Sequence, residues 1–125
     1  MGNIITIVGG GSTFTPGIVT SIALRQQELE GDEVRLFDID EERQSKVAVV
    51  VDWILKDLKS SIKLTVTTDK ETAYTNAKFV FAQMRVGKYE MREHDEKISL
   101  KHGVVGQETC GCGGMAYGLR TIFPM

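Results

Sequence analysis

Cysteine is almost absent: the 125 residues contain two, Cys110 and Cys112. Only one residue separates them, which strains any disulfide and misses the CxxC spacing of zinc and redox sites. A disulfide scaffold is therefore excluded, and a reducing cytoplasm is the expected compartment. Long apolar runs are also missing. Stretches such as 4–8 and 47–51 fall far short of the roughly 20 residues a membrane span needs. No basic segment followed by a cleavable apolar one opens the chain, so no secretory signal is expected. Charge of one sign is not in excess, with 15 Lys and Arg against 17 Asp and Glu and a net charge of -2. Without a basic stripe or tail, nothing points to nucleic acid or to an anionic membrane surface. Repeats, low-complexity tracts and linkers are lacking. What remains, 42% hydrophobic and 26% charged, is the composition of one globular domain with a real core.

The order of elements is regular. Residues 3–8, NIITIV, form a β-branched run that reads as a buried strand and ends in Gly9-Gly10-Gly11. Pro16 fits the first turn of a helix, with Thr13 or Thr15 as its cap, and this helix should end near Gly31. Residues 33–38 form a second strand. Asp40 caps a long helix with Val47, Val50, Val51, Ile54, Leu55 and Leu58 on its apolar face. A third strand covers 62–67, a short helix capped by Asp69 runs to Asn76, and a fourth strand covers 77–83. Strands alternating with helical crossovers imply an α/β, Rossmann-type parallel sheet in the order 3-2-1-4.

Beyond Met84 the pattern weakens. Residues 90–100 have helical character, 102–114 are Gly-rich and read as irregular, and 116–122 begin another helix. The expected organisation is a dinucleotide-binding core over 1–83 and a substrate-site segment of the same domain over 84–125. A six-stranded dinucleotide domain needs about two more strands, so a truncated product is expected; a compact four-stranded domain is the alternative.

The glycines carry the first functional signal. They follow a strand and open a helix, where backbone can approach a pyrophosphate and the helix N-terminus favours its charge. Ser12 and Thr13 add hydroxyl donors. Gly9 and Gly11 match GxGxxG, but Phe14 stands at the third glycine position. Asp38, at the end of the second strand, is placed to accept hydrogen bonds from an adenosine ribose and to repel a 2′-phosphate, which favours NAD over NADP. The competing reading is a plain tight turn with Asp38 facing solvent. Asp40 reads as a helix cap rather than a second ribose ligand.

The second signal is the polar segment after the fourth strand, at the sheet edge where α/β folds place ligands. Arg85, Lys88, Arg92, Lys101 and Arg120 are candidates for an anionic substrate. A solvated charged helix is the plainer account of Lys88, Glu93, Glu96 and Lys97. His94 and His102 lack metal-site spacing. Gly111, Gly113 and Gly114 suggest close backbone contact, and Glu108 stands in an otherwise neutral loop. Met115 and Tyr117 are expected to pack.

Three stretches together are specific: GGGSTFTPGIV, LFDID and VGKYEMREHDEKISLKHGVVGQETCGCGGMAYGLRTI. They resemble the NAD- and metal-dependent glycosidases of family 4, and within it the 6-phospho-α-glucosidases, up to about Ile122. The resemblance implies an exception to two-carboxylate hydrolysis. NAD+ oxidises C3 of the sugar, the C2 proton is acidified and removed by a tyrosine base, and the glycosidic oxygen leaves C1. A divalent metal, typically Mn2+, polarises the C2 and C3 oxygens; water then adds and the hydride returns. By the same resemblance, Gly9, Gly10, Gly11 and Ser12 form the cofactor loop, and Asp38 is the ribose acid. Arg92 binds substrate, Arg85 is a weaker substrate candidate, and Glu108 raises the basicity of the tyrosine. The implied partner is a phosphorylated sugar such as maltose 6′-phosphate, in a homo-oligomer.

Cys112 replaces a usual proline, which loosens the loop. The chain also departs from the family at Phe123-Pro124-Met125. The family's metal-binding cysteine and histidine, its substrate asparagine and its tyrosine base match no position here. No metal ligand is therefore expected within the chain, and the piece alone is expected to be inactive. Alternatives are an NAD-binding piece without catalysis, a 6-phospho-β-glucosidase and a lactate/malate-dehydrogenase-like protein. The GQETCG loop argues against the last.

Overall fold

A computed structural model describes residues 2–124, which form two compact units, one up to Met84 and one from Arg85 onward. The first unit is a four-stranded sheet in the order β3-β2-β1-β4. Its strands are β1 (Asn3–Val8), β2 (Gly31–Phe37), β3 (Lys63–Thr67) and β4 (Ala77–Ala82), all paired in parallel. Between them lie α1 (Thr15–Leu24), α2 (Gln26–Leu29), α3 (Glu41–Asp57) and α4 (Lys70–Tyr74). The expected sheet and its order are found.

β-branched residues suit a pleated surface covered on both faces, and β1 is buried from Ile5 to Val8. One core joins Ile5, Ile7, Val34 and Leu36 to Val19 and Ile22 of α1, Val51 and Leu55 of α3, and Ile62. The other face packs Val8 and Phe37 against Ala73 of α4, with Tyr74 and Met84 beside them. Each fully buried aliphatic side chain here contributes roughly 1.5–3 kcal/mol.

The cap expected at Asp40 is present, its carboxylate accepting the Arg43 N–H at 3.0 Å, and Asp69 accepts the Thr72 N–H at 2.7 Å. The cap expected at Thr13 or Thr15 is not. Phe14 occupies that position without a side-chain bond, and Thr15 is the buried first residue of α1. The helix also breaks at Arg25. A left-handed Glu30 (φ 49°) ends α2, so β2 starts at Gly31. Two residues of the predicted apolar stripe, Val50 on α3 and Leu58 just past its end, are exposed. β4 is an edge strand, and Phe79, Val80 and Phe81 remain 43–46% exposed.

The second unit is a helical pair, α5 (Lys88–Lys101) and α6 (Gly111–Ile122). The irregular segment ends at Cys110, so α6 begins five residues before the expected start at 116. Glycine-rich sequence reads as loop, yet at Gly113 and Gly114 a side chain would strike neighbouring backbone. Its apolar side chains are not covered: Ile98, Leu100, Met115, Leu119 and Ile122 are all exposed, against the expectation that Met115 packs. Among the described residues, the buried ones on these two helices are Asp95, Ser99 and Gly113. No helix of the described residues is long and apolar enough to cross a membrane.

Candidate functional site

In the sheet unit, the candidate residues lie where β1 gives way to α1. Gly9 has φ +84°, and a Cβ there would meet the Met84 backbone at 3.0 Å. The N–H groups of Gly9 and Gly10 both donate to the Phe37 carbonyl at 2.9 Å, which ties the loop to the end of β2. A Cβ on Gly11 would sit 3.0 Å from Asp38 Oδ2 and 3.2 Å from the Gln44 nitrogen. The loop must therefore lack side chains to lie this close to its neighbours.

Asp38 is held by that same contact. Its Oδ2 accepts the Gly11 N–H at 2.8 Å, and its Oδ1 accepts the Asp40 N–H at 3.1 Å. Each carboxylate oxygen keeps a second lone pair for an incoming hydroxyl. Ser12 closes the turn: its N–H donates to the Gly9 carbonyl at 2.9 Å, and its Oγ accepts the Phe14 N–H at 3.2 Å. Thr13 is exposed. The backbone N–H groups of Thr13 and Gly17 meet no acceptor among the described residues, which leaves donors at the positive end of α1.

Residue-level reading of the sequence missed Gln83. Its amide donates to Thr15 Oγ1 at 2.6 Å and to the Gly9 carbonyl at 3.3 Å, bracing the loop from the end of β4. The available signal was topological: in the order 3-2-1-4, the end of β4 lies beside the end of β1.

The helical pair holds a separate group of candidate residues. Arg85 forms an ion pair with Glu108, and Arg92 Nη1 lies 3.1 Å from Glu108 Oε2. Arg92 Nε also donates to Glu96 Oε1 at 2.8 Å. The bond to Glu96, and then the charge of Glu108, hold the Arg92 guanidinium above the usual arginine range. The Arg85 guanidinium lies 4.9 Å from the centre of the Tyr89 ring. Arg85, Arg92 and Glu108, predicted separately, thus converge. Lys88 also lines their cavity, whereas Lys101 is exposed at the end of α5. Arg120 departs from its expected role in anion binding, because both oxygens of the buried Asp95 take its Nη2, at 2.8 and 3.0 Å. The cavity among these groups measures about 10 Å³, room for one water-sized group.

Glycine again explains the packing. A Cβ on Gly106 would meet the Glu96 carbonyl at 2.6 Å, one on Gly113 would collide with the Gln107 carbonyl, and one on Gly114 would meet Thr109 at 2.5 Å. The Glu108 loop is pressed between α5 and the start of α6. Cys110 and Cys112 are free and exposed. Among the described residues, no three His, Cys, Asp or Glu side chains are grouped so as to hold a metal ion.

A parallel 3-2-1-4 sheet, with a glycine turn after β1 and an acid after β2, defines a Rossmann-type dinucleotide-binding fold. Residues 4–125 match the profile of the Family 4 glycosyl hydrolases, and the chain belongs to that family. It is 50% identical over 118 residues to a 6-phospho-alpha-glucosidase of Leptotrichia buccalis, covering 94% of this chain and 27% of that protein. A solved 6-phospho-alpha-glucosidase from gut microorganisms, in complex with NAD and glucose-6-phosphate, is similar at 52% identity and a TM-score of 0.86. That match covers 100% of this chain and 29% of that one. Another, in complex with NAD and Mn2+, is 44% identical with a TM-score of 0.87, over 100% and 28% of the two chains. The chain thus spans about a quarter of the length of the curated relatives it matches. A malate dehydrogenase of Cryptosporidium parvum, 20% identical with a TM-score of 0.56, shares the fold alone.

Proposed function

We propose that this chain is the cofactor-binding portion, with part of the sugar-binding surface, of an NAD- and divalent-metal-dependent 6-phospho-α-glucosidase acting on 6-phosphoglucosides such as maltose 6′-phosphate. The observation that carries the reading is the Gly11–Asp38 contact. It holds a side-chain-free loop and a ribose-accepting carboxylate side by side at the ends of β1 and β2. Residues 1–83 serve as the dinucleotide-binding core and 84–125 as the substrate-site segment.

Gly9, Gly10, Gly11, Ser12 and Thr13 hold the pyrophosphate of NAD against the free N–H groups at the start of α1. Asp38 accepts the ribose hydroxyls with its remaining lone pairs, and its charge disfavours a 2′-phosphate. NAD, when bound, supplies a hydride acceptor. Arg92 and Arg85 give forked donors for sugar oxygens and phosphate. Glu108 presents a negative charge that raises the proton affinity of a neighbouring base. The reading places the protein in the cytoplasm as part of a homo-oligomer.

The chain alone does not turn over substrate. Removing a C2 proton needs a base within hydrogen-bond reach, and holding the resulting charge needs a firmly ligated metal. The described residues group no metal set. Tyr74 is not placed to act as the base: its ring packs edge-on against Phe37, and burial pushes its phenol up, so it stays protonated at neutral pH.

The test is calorimetry and turnover on the purified chain. NAD+ binds wild type, and Asp38→Ala weakens it, each lost charged hydrogen bond costing about 1.5–3 kcal/mol. Equal affinity in both proteins sinks the cofactor reading. Aryl 6-phospho-α- and β-glucosides with NAD+ and Mn2+ give no product. Turnover that Asp38→Ala abolishes would overturn the prediction of inactivity, and the anomer consumed would fix the specificity.

A further inference from the structure

The two helices of the second unit leave most of their large apolar side chains in solvent. Helices normally interlock apolar ridges and grooves, yet Ile98, Leu100, Met115, Leu119 and Ile122 are 44–64% exposed. At the buried contact there is instead a carboxylate. Asp95 is 8% exposed and receives both of its bonds from one nitrogen of Arg120, in the last turns of α6. The residue one turn before Asp95 on α5 is Arg92, which reaches Glu108 on the loop leading into α6. All four side chains line the same cavity.

We infer that Asp95 and Arg120 are positioning residues that fix α6 against α5 and thereby hold the Arg92 guanidinium on Glu108. The chemistry favours this role over simple stabilisation. A buried ion pair gains little over apolar packing of the same volume, because desolvation offsets the attraction. What it supplies is a directional contact between the two helices. Ser99, the other buried polar residue of α5, bonds back to the Asp95 carbonyl of its own helix at 3.3 Å and ties nothing to α6. The Gly106 contact fixes the loop to α5 through the Glu96 backbone, leaving the far end of α6 to Arg120. The inference rests on the proposed sugar-binding role of Arg92 and Glu108 only for its functional meaning, since the geometry stands without ligand.

The experiment uses the 125-residue chain without NAD or sugar, so its outcome is separable from that of the proposed function. The Arg92 Nη–H signals, which report the contact with Glu108, are followed by ¹H–¹⁵N spectroscopy in wild type, Asp95→Asn and Arg120→Lys, with the backbone amides of α5 and α6 as the internal control. The Nη1–H protons of Arg92 that face Glu108 should exchange roughly tenfold faster in Asp95→Asn, while helix amide protection changes little. Arg120→Lys keeps the charge but shortens the reach and moves the donor nitrogen, and should fall between the two. An Arg92 signal unchanged in both variants overturns the inference. Loss of helix protection in both also overturns it, because the pair would then hold the fold and not the site.

Discussion

The two units solve the same packing problem with different materials. The sheet unit buries Ile5, Ile7, Val34, Leu36, Val51 and others, which are all but dry. The helical pair buries a carboxylate, a serine and a glycine, and leaves its large apolar side chains in solvent. An apolar core is non-directional, and its strength grows with area. Polar ties and close glycine contacts add less free energy but fix position. The sheet therefore provides stability, and the pair provides placement of Arg92 and Glu108.

The contrast breaks most visibly in the sheet core. Leu36→Ala should destabilise the chain by about 2–5 kcal/mol, read as a shift in the urea midpoint. Next in size is a glycine of the loop. Gly11→Ala drives a methyl onto Asp38 and Gln44, and calorimetry should show NAD+ affinity falling about as far as for Asp38→Ala, by roughly 1.5–3 kcal/mol.

A smaller effect is expected from acid. The Arg35 guanidinium, aided by the Thr65 hydroxyl and opposed by partial burial, holds the Glu33 carboxyl below its ordinary value of 4.5. A depressed folded-state value means that the contribution is complete above about 4.5 and is lost as pH falls through the lower folded value. Glu33→Gln should thus remove on the order of 1 kcal/mol at neutral pH and flatten the decline below pH 4.5. Urea titrations at pH 7 and below 4.5 would check both. Last, Leu119→Ala on the exposed face of α6 should stay within about 0.5 kcal/mol, measured the same way. A cost comparable to that of Leu36→Ala would erase the distinction between the units.

Much of the sheet unit was legible because its signals are local. Asp40 and Asp69 precede helices that they cap, and NIITIV and AKFVFA read as strands without any partner in view. Asp38 was identifiable from its place after the second strand, whereas its bond to the Gly11 N–H was not. The failures share a cause. Thr15 resembles a cap, but its hydroxyl is engaged by Gln83, 68 positions away. Val50 has helical spacing yet lies on a side of α3 that nothing covers. Gly113 and Gly114 read as loop residues because a sequence does not show the backbone they touch, at Gln107 and Thr109. Arg120 looked like a free cation because Asp95 lies 25 residues away. Arg85 and Arg92 stand out as arginines after the fourth strand and Glu108 as the acid of a neutral loop, but a sequence does not show that they meet.

The central place of β1 also has a consequence in time. It is the first strand in the chain, and it pairs with β2 on one side and β4 on the other. During synthesis at roughly 5–20 residues per second, several seconds separate the emergence of β1 from that of β4. Throughout that interval one edge of an apolar strand has no neighbour, a template for mispairing with any other extended segment. Loop closure over so long a separation is itself slow, as in other parallel sheets. The residue run with the best intrinsic strand propensity is therefore the one that must wait longest, and protection of nascent β1 should limit the yield of native chain more than the stability of the finished sheet does.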